Sequence, residues 1–439
     1  MNPELSVFLM FVTLLLGIFL GYPTAFVLGG VAMIFGWINV GPEIFGFFIT
    51  RLFSLMTNYT LLAVPLFLFM GVFMEKSGMA RRLFNAMYLL WGGLPGGLGI
   101  STIAISAIFA ATTGVVGASE VTIGLMALPA MLKNGYNKSL ACGSVCAGGT
   151  LGILIPPSVM IVIYGPIAQL SVGKLFLGAV VPGIMLALLY MVYIAIRCRM
   201  RPVDGPPMPL TERSVPMGRK IWLFISAVLP AMLLIFSVLG SIFLGIAAVT
   251  EAAAVGVIAS MLLAACYRQL SFQTLKKAGY ETLNITSMIM MIAVGASFFS
   301  TVFVTLGGDD VIVRMFSALP FGRWGALMVI MLLLILLGMF IDWMGIIFIV
   351  VPLITPIAAK LGFDPIWFAV LVMLNLQISF LTPPFAYSIF YLKGITPPEV
   401  KTTDIYRGVI PFVGLQILAV LLCMLFPQLL TWLPSYIIG

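Results

Sequence analysis

Asp342 sits in the middle of an apolar run, L-G-M-F-I-D-W-M-G (337–345), where an ionisable side chain is a functional candidate by default. Gly338 and Gly345 flank it, and N-L-Q-I-S-F-L-T-P-P (375–384) follows, with Asn375, Gln377, Ser379 and Thr382 ahead of Pro383 and Pro384. A second set has the same character. Thr112, Thr113, Gly114, Gly117 and Ser119 lie in A-T-T-G-V-V-G-A-S-E (111–120); Gly149, Thr150, Gly152, Pro156, Pro157 and Ser158 lie in G-G-T-L-G-I-L-I-P-P-S (148–158). Proline removes a backbone donor and ends a helix, which frees carbonyls upstream. Free carbonyls and neutral side-chain oxygens suit a hard monovalent cation such as sodium, which half-helix C-terminal ends coordinate in many carriers. The half-helices that begin after the breaks present positive dipole ends, suited to an anionic substrate. Any one Gly or Thr is explained equally well by close helix packing; the four-part arrangement is what points to two cation sites.

Two further carboxylates stand in or beside apolar runs. Glu120 adjoins the first tip, and Glu251 lies in V-T-E-A-A-A (249–254), where a place in a helix's first turn, capped by Thr250, is the better reading. Cys142 and Cys146 share a helix face, but with no histidine in the chain and no second cysteine pair, zinc ligation is unsatisfied and small-residue packing is preferred. No nucleophile–base pair is visible either, so an enzyme finds no support.

The elements that position these residues come in two copies. Pro129, Lys133, Gly135, Tyr136, Pro156, Pro157 and Tyr164 match Pro356, Lys360, Gly362, Phe363, Pro383, Pro384 and Tyr391, every pair 227 residues apart. Proline-interrupted hydrophobic segments at corresponding positions of two halves are the best sequence pointer to a secondary transporter's binding site. The chain has 439 residues, 62% of them hydrophobic and 8% charged, with mean hydropathy +1.20. Soluble domains carry about 25% charge, so a water-soluble core is excluded and the bundle must lie in lipid. The net charge of +8 resides in short loops, as the positive-inside rule expects, and gives no reason to invoke nucleic acid. Met1-Asn2-Pro3-Glu4 lacks a basic n-region, so the first apolar run is expected to be a retained helix.

Apolar runs long enough to cross, roughly 20 residues, are expected at 5–21, 24–40, 53–74, 174–196, 221–240, 243–266, 283–306 and 408–433, with proline-broken spans at 137–168 and 365–392. The stretches 95–131 and 323–358 are interrupted at their centres by polar or glycine-rich residues, which must be buried in protein, and are expected to form re-entrant hairpins. The hydrophilic linker 197–220, rich in Arg and Lys, is placed in the cytoplasm. From it, the segments 76–82, 133–138, 268–277 and 393–407 fall inside, and 307–314, 360–364 and both termini fall outside. Lys133 and Lys360 then lie on opposite sides. The expected fold is an all-α integral membrane protein with about ten spanning helices, two of them broken, and two re-entrant hairpins. It is an inverted repeat of 1–196 and 221–439.

Together, G-T-L-G-I-L-I-P-P-S (149–158), P-x-M-x-K-x-G-Y (129–136), T-E-A-A-A (250–254), G-M-F-I-D (338–342) and N-L-Q-I-S-F-L-T-P-P (375–384) resemble the large membrane subunit of tripartite ATP-independent periplasmic (TRAP) transporters. The resemblance covers essentially the whole chain. It implies sodium-driven uptake of an organic anion, usually a carboxylate, across the bacterial inner membrane by an elevator movement. It also implies two partners, a small membrane subunit of about four helices and an extracytoplasmic binding protein that delivers the substrate. No cofactor beyond the coupling sodium is implied. One departure stands out. Many members carry a first tip resembling S-G-S-S-x-A-T, whereas here it reads T-G-V-V-G-A-S (113–119), similar to the subgroup labelled mannitol/chloroaromatic. Hydroxyls are missing at Val115 and Val116, so the first cation site leans on backbone carbonyls, Thr113 or Ser119. A stand-alone ion-coupled anion carrier or a cation/proton antiporter of related architecture is the other reading, with Asp342 as the exchanging carboxylate.

Overall fold

A backbone in lipid has no water to satisfy it, so its N–H and C=O groups pair within helices. The computed structural model describes residues 3–114, 116–209, 215–317 and 322–438, and every regular element among them is helical. The first half runs α1 (Pro3–Phe19), α2 (Thr24–Val40), α3 (Ile44–Met56), a 3-10 turn (Tyr59–Leu62), α4 (Ala63–Lys76), α5 (Met79–Trp91), α6 (Gly97–Thr113), α7 (Val116–Lys133), α8 (Lys138–Thr150), α9 (Val159–Ala168) and α10 (Val172–Met200). The second runs α11 (Met217–Phe243), α12 (Val249–Cys266), α13 (Phe272–Thr305), α14 (Gly308–Ser317), α15 (Gly322–Gly338), α16 (Trp343–Ile349), α17 (Val351–Lys360), α18 (Pro365–Leu381), α19 (Tyr387–Ile395), α20 (Thr402–Leu425) and α21 (Gln428–Ile437).

Among the described residues, six helices are long and apolar enough to cross a membrane, and a seventh crossing arises if α16 and α17, bent by 54°, count as one. The other expected crossings are apolar helices of 10–17 residues or are interrupted. Several boundaries differ from expectation. The span at 53–74 is divided at Thr57–Asn58: the 3-10 turn runs on into α4 as one crossing helix, Tyr59–Lys76, and the Asn58 side chain accepts from the Thr60 amide at 3.1 Å. The run 408–433 divides at Pro427, which starts α21 afresh. Two segments read as loops are partly helical: α13 begins at Phe272, capped by Ser271 (3.1 Å from the Thr274 amide), and α14 occupies 308–317. Neither α5 nor α14 looks like a span, because each is short and carries charged residues. In α5, Met79, Leu83 and Met87 are buried while Arg81 and Arg82 face out, the spacing of a surface helix.

The duplicated turn folds alike in both halves. Gly135 and Gly362 each adopt φ of +77°, a left-handed conformation that favours glycine at a helix end. Tyr136 and Phe363 then donate their amides to Met131 and Ala358 at 3.0 and 3.1 Å. The side chains of Asn137 and Asp364 cap the following helices, accepting from Leu140 and Trp367 at 3.1 and 2.7 Å. At both Pro-Pro pairs the helix stops and a short helix restarts, α8 to α9 and α18 to α19.

Packing is reciprocal. α2 lies along α13 and α4 along α12; α6 and α7 pack on α8, while α15 and α17 pack on α18. The short helices then cross over: α9 packs on α16 and α17, and α19 packs on α7 and α8. Small residues let backbones meet at the crossings; Gly143 of α8 has no room for a Cβ against the Gly408 carbonyl of α20. At one end of the bundle the linker docks on the first repeat, with Gly96 N to Gly205 O at 2.8 Å and Asn137 N to Asp204 O at 3.0 Å, and Lys138 reaches the Glu399 carbonyl at 2.8 Å. Elsewhere Glu4 pairs with Arg314 at 3.2 Å, and Lys76 with Glu281 at 2.7 Å. Segment 133–138 thus meets both the linker and segment 393–407, and segment 307–314 meets the start of α1.

Candidate functional site

The first tip turns at Gly114. α6 ends at Gly114, whose φ of +64° disfavours a side chain, and α7 starts at Val116; Val115 lies outside the described residues. A Cβ added at Gly114 would stand 3.1 Å from the Val159 nitrogen and 3.3 Å from the Pro157 carbonyl oxygen. The tip thus lies directly on the first break. The hydroxyls of Thr112 and Thr113 donate to the Phe109 carbonyl at 2.7 and 3.1 Å. Ser119 donates to Val116 at 2.8 Å, Thr150 to Ala147 at 2.9 Å and Ser158 to Ile153 at 2.5 Å. A hydroxyl whose proton is committed to a helix carbonyl offers its lone pairs outward as an acceptor. That is the ligand chemistry of a hard cation.

Glu120 is buried against Gly149: a Cβ there would come within 2.8 Å of the glutamate's own Cβ. Its carboxyl faces the Ser388 hydroxyl of α19 and the Cys146 thiol of α8, outside hydrogen-bond geometry to either. Tyr391 of α19 lies over Gly117. Gly152 is buried in the 3-10 turn after α8, and Thr150 turns toward Gln416 of α20, 3.4 Å away. Pro156 faces an apolar crevice, not the tip.

At the second tip, Asp342 caps α16, its Oδ2 accepting from the Met344 amide at 3.2 Å. Gly338 packs against the Ser379 side chain with no room for a Cβ. Beside this contact lies a cavity of about 10 Å³, lined by Gly338, Ile341, Trp343, Ser379 and Tyr387 among others. That is about the space of one water molecule. Asn375 donates to the Met331 carbonyl at 2.9 Å and Ser379 to Ile335 at 3.3 Å, which ties α18 to α15; Thr382 donates to Ile378 at 3.0 Å. The Phe385 amide, just past Pro383 and Pro384, donates to the Met339 carbonyl of the tip at 3.2 Å. Gln377 is fully buried with neither amide atom paired. Gly345 points toward Ile341 and Thr24 of α2, away from the break.

The structure therefore joins Thr113, Gly114 and Pro157 at one tip, and Gly338, Asp342, Ser379 and the second break at the other. Sequence reasoning passed over Tyr190, Tyr387, Ser388 and Gln416. Gln416 is a lone amide in an apolar run, and its buried partner Thr150 lies 266 residues away. Glu251 is half of a capping box: its carboxylate accepts from the Ala248 amide at 2.8 Å, so Ala248 occupies the cap position expected for Thr250.

Tips seated on broken helices in an all-helical apolar chain define a membrane carrier, not an enzyme. The Alcanivorax borkumensis YdaH transporter, whose crystal structure is described as having an unusual topology, shares this fold with a TM-score of 0.64 at 13% identity, covering 99% of this chain and 100% of that one. Residues 10–429 match the family described as "Tripartite ATP-independent periplasmic transporter, DctM component", and the chain belongs to it. The C4-dicarboxylate TRAP transporter large permease protein DctM of Pseudomonas aeruginosa is 33% identical over 88% of this chain and 89% of its own. The sialic acid large permease SiaM of Vibrio cholerae is 29% identical over 96% and 97%. The ectoine large permease TeaC of Halomonas elongata is 31% identical over 85% and 86%. The family's large permeases are multi-pass inner-membrane proteins that work with a small membrane subunit and a periplasmic binding protein.

Proposed function

We propose that this chain imports an organic anion of the carboxylate class together with sodium, the substrate being delivered by its extracytoplasmic binding protein. The observation that carries the reading is the pair of tip-and-break assemblies, where buried oxygens have spent their protons on helix carbonyls. At the first, Thr113, Ser119 and the carbonyls ahead of Pro156 and Pro157 would hold one ion; at the second, Gly338, Asp342, Ser379, Thr382 and the carbonyls ahead of Pro383 would hold another. The one-water cavity beside Ser379 suits a dehydrated monovalent ion. The fit is unequal, because Asp342 sits in the second tip itself, whereas Glu120 at the first turns to Gly149, Ser388 and Cys146. The fully buried Gln377 and the positive starts of α9 and α19 face the anion. Both hairpins and both broken spans move as one body against α2, α4, α12 and α13, which the small subunit extends, and the two repeats have opposite orientation in the membrane. C4-dicarboxylate and sialic acid permeases among the relatives support the anion class. In proteoliposomes holding this chain and its small subunit, with binding protein outside, uptake requires an inward sodium gradient; undiminished uptake without sodium overturns the mechanism. Transport by the chain alone would favour a stand-alone carrier.

A further inference from the structure

Between α6, α10, α11 and α21 runs a cavity of about 570 Å³ with almost entirely apolar walls. Its mouth is formed by residues turned outward on lipid-facing helices: Ile184 is 52% exposed, Leu188 51% and Phe236 67%. Its floor lies deep, with Ala111 3% exposed, Leu177 1% and Leu239 7%. Apolar cavities stay dry and take apolar guests; one of about 150 Å³ already binds benzene. This one is several times larger and opens onto hydrocarbon. Its lining on α11 runs from Phe224 to Phe243, about 28 Å of helix at 1.5 Å per residue, close to the hydrocarbon depth of a bilayer.

We infer that the crevice is a phospholipid site, with one acyl chain laid along α11 and an anionic headgroup at the Lys220 end. Water has almost no polar atom to hold it there. A void in a packed interior loses contacts on its whole lining, and the neighbouring lipid can restore them without leaving the bilayer. Lys220 lies one turn before Phe224 on the same face of α11, beside Arg219, so a cationic pair marks one end of an otherwise uncharged groove. Positive side chains at a span's edge attract anionic headgroups. The guest touches α6 and Pro156 on one wall and α11 on the other, and so fills the gap between the first hairpin and its neighbour.

The test uses the chain purified with its small subunit. It is reconstituted in phosphatidylglycerol or phosphatidylcholine carrying a mid-chain diazirine, irradiated, and mapped by mass spectrometry. Label is expected at Ala111, Leu177 or Leu239 as well as at exposed Leu229 and Leu233. It should be severalfold stronger at the floor from phosphatidylglycerol, and that preference should vanish in Lys220→Gln. Ala107→Trp, or Leu239→Trp should the first fail to fold, should abolish floor label and spare Leu229 and Leu233. Label confined to exposed positions in the complex gives the crevice to the partner subunit or to no guest and overturns the proposal. Equal floor label from both lipids overturns the headgroup assignment.

Discussion

Gln377 brings a full amide into a space where neither its nitrogen nor its oxygen meets a protein partner. Leaving buried polar groups unpaired costs about 1–3 kcal/mol, so the residue is a burden unless something else binds it. Gln377→Leu is therefore expected to raise the unfolding midpoint of the purified protein while depressing uptake; unchanged uptake would make the amide a bystander. Asp342 divides differently. Asparagine caps a helix as well as aspartate does, so Asp342→Asn keeps the start of α16 and the protein stays in the membrane. What it loses is the charge. Uptake should fall roughly tenfold or more, equivalent to about 1.4 kcal/mol, and wild-type rates would reduce Asp342 to a cap. Both residues were legible as chemistry in an apolar run. Tyr190 and Gln416 were not: each lies in a long apolar run with no motif around it, and only folding brings Gln416 to Thr150.

The helices divide by whether their sequence states its own geometry. The turn around Gly135 and its copy around Gly362 were readable because glycine, a capping side chain and the preceding apolar helix each declare the same conformation. The tips were readable in place but not in extent: ten residues of mixed character at 111–120 shrink to a reversal around Gly114, because Thr112 and Thr113 satisfy their hydroxyls inside α6 and let it continue. The helices α5 and α14 were hidden by charged faces that lower their hydropathy. Close contacts between elements are where substitution should tell. Gly71 of α4 has no room for a Cβ against the Thr113 carbonyl at the first tip. Gly71→Ala should therefore reduce uptake more than stability, as judged by transport beside thermal unfolding. Gly143→Val, at the crossing of α8 and α20, should do the reverse first, with an overpacking cost of about 1–3 kcal/mol; a midpoint at or above wild type would refute the close crossing.

Orientation is a property of the whole molecule. Lys133 and Lys360 end α7 and α17 at matched points of the two repeats. If the halves are inverted, cysteine placed at each should react with a membrane-impermeant reagent from opposite faces; labelling of both from one face would give parallel copies. The crossed seating of the short helices bears on the chain's integrity in another way. α9 finishes the second hairpin's surface and α19 the first's, so a protein severed within the linker would yield two fragments, each missing a plug that only its sibling carries. Made separately, both should be prey to degradation; made together, they should find one another.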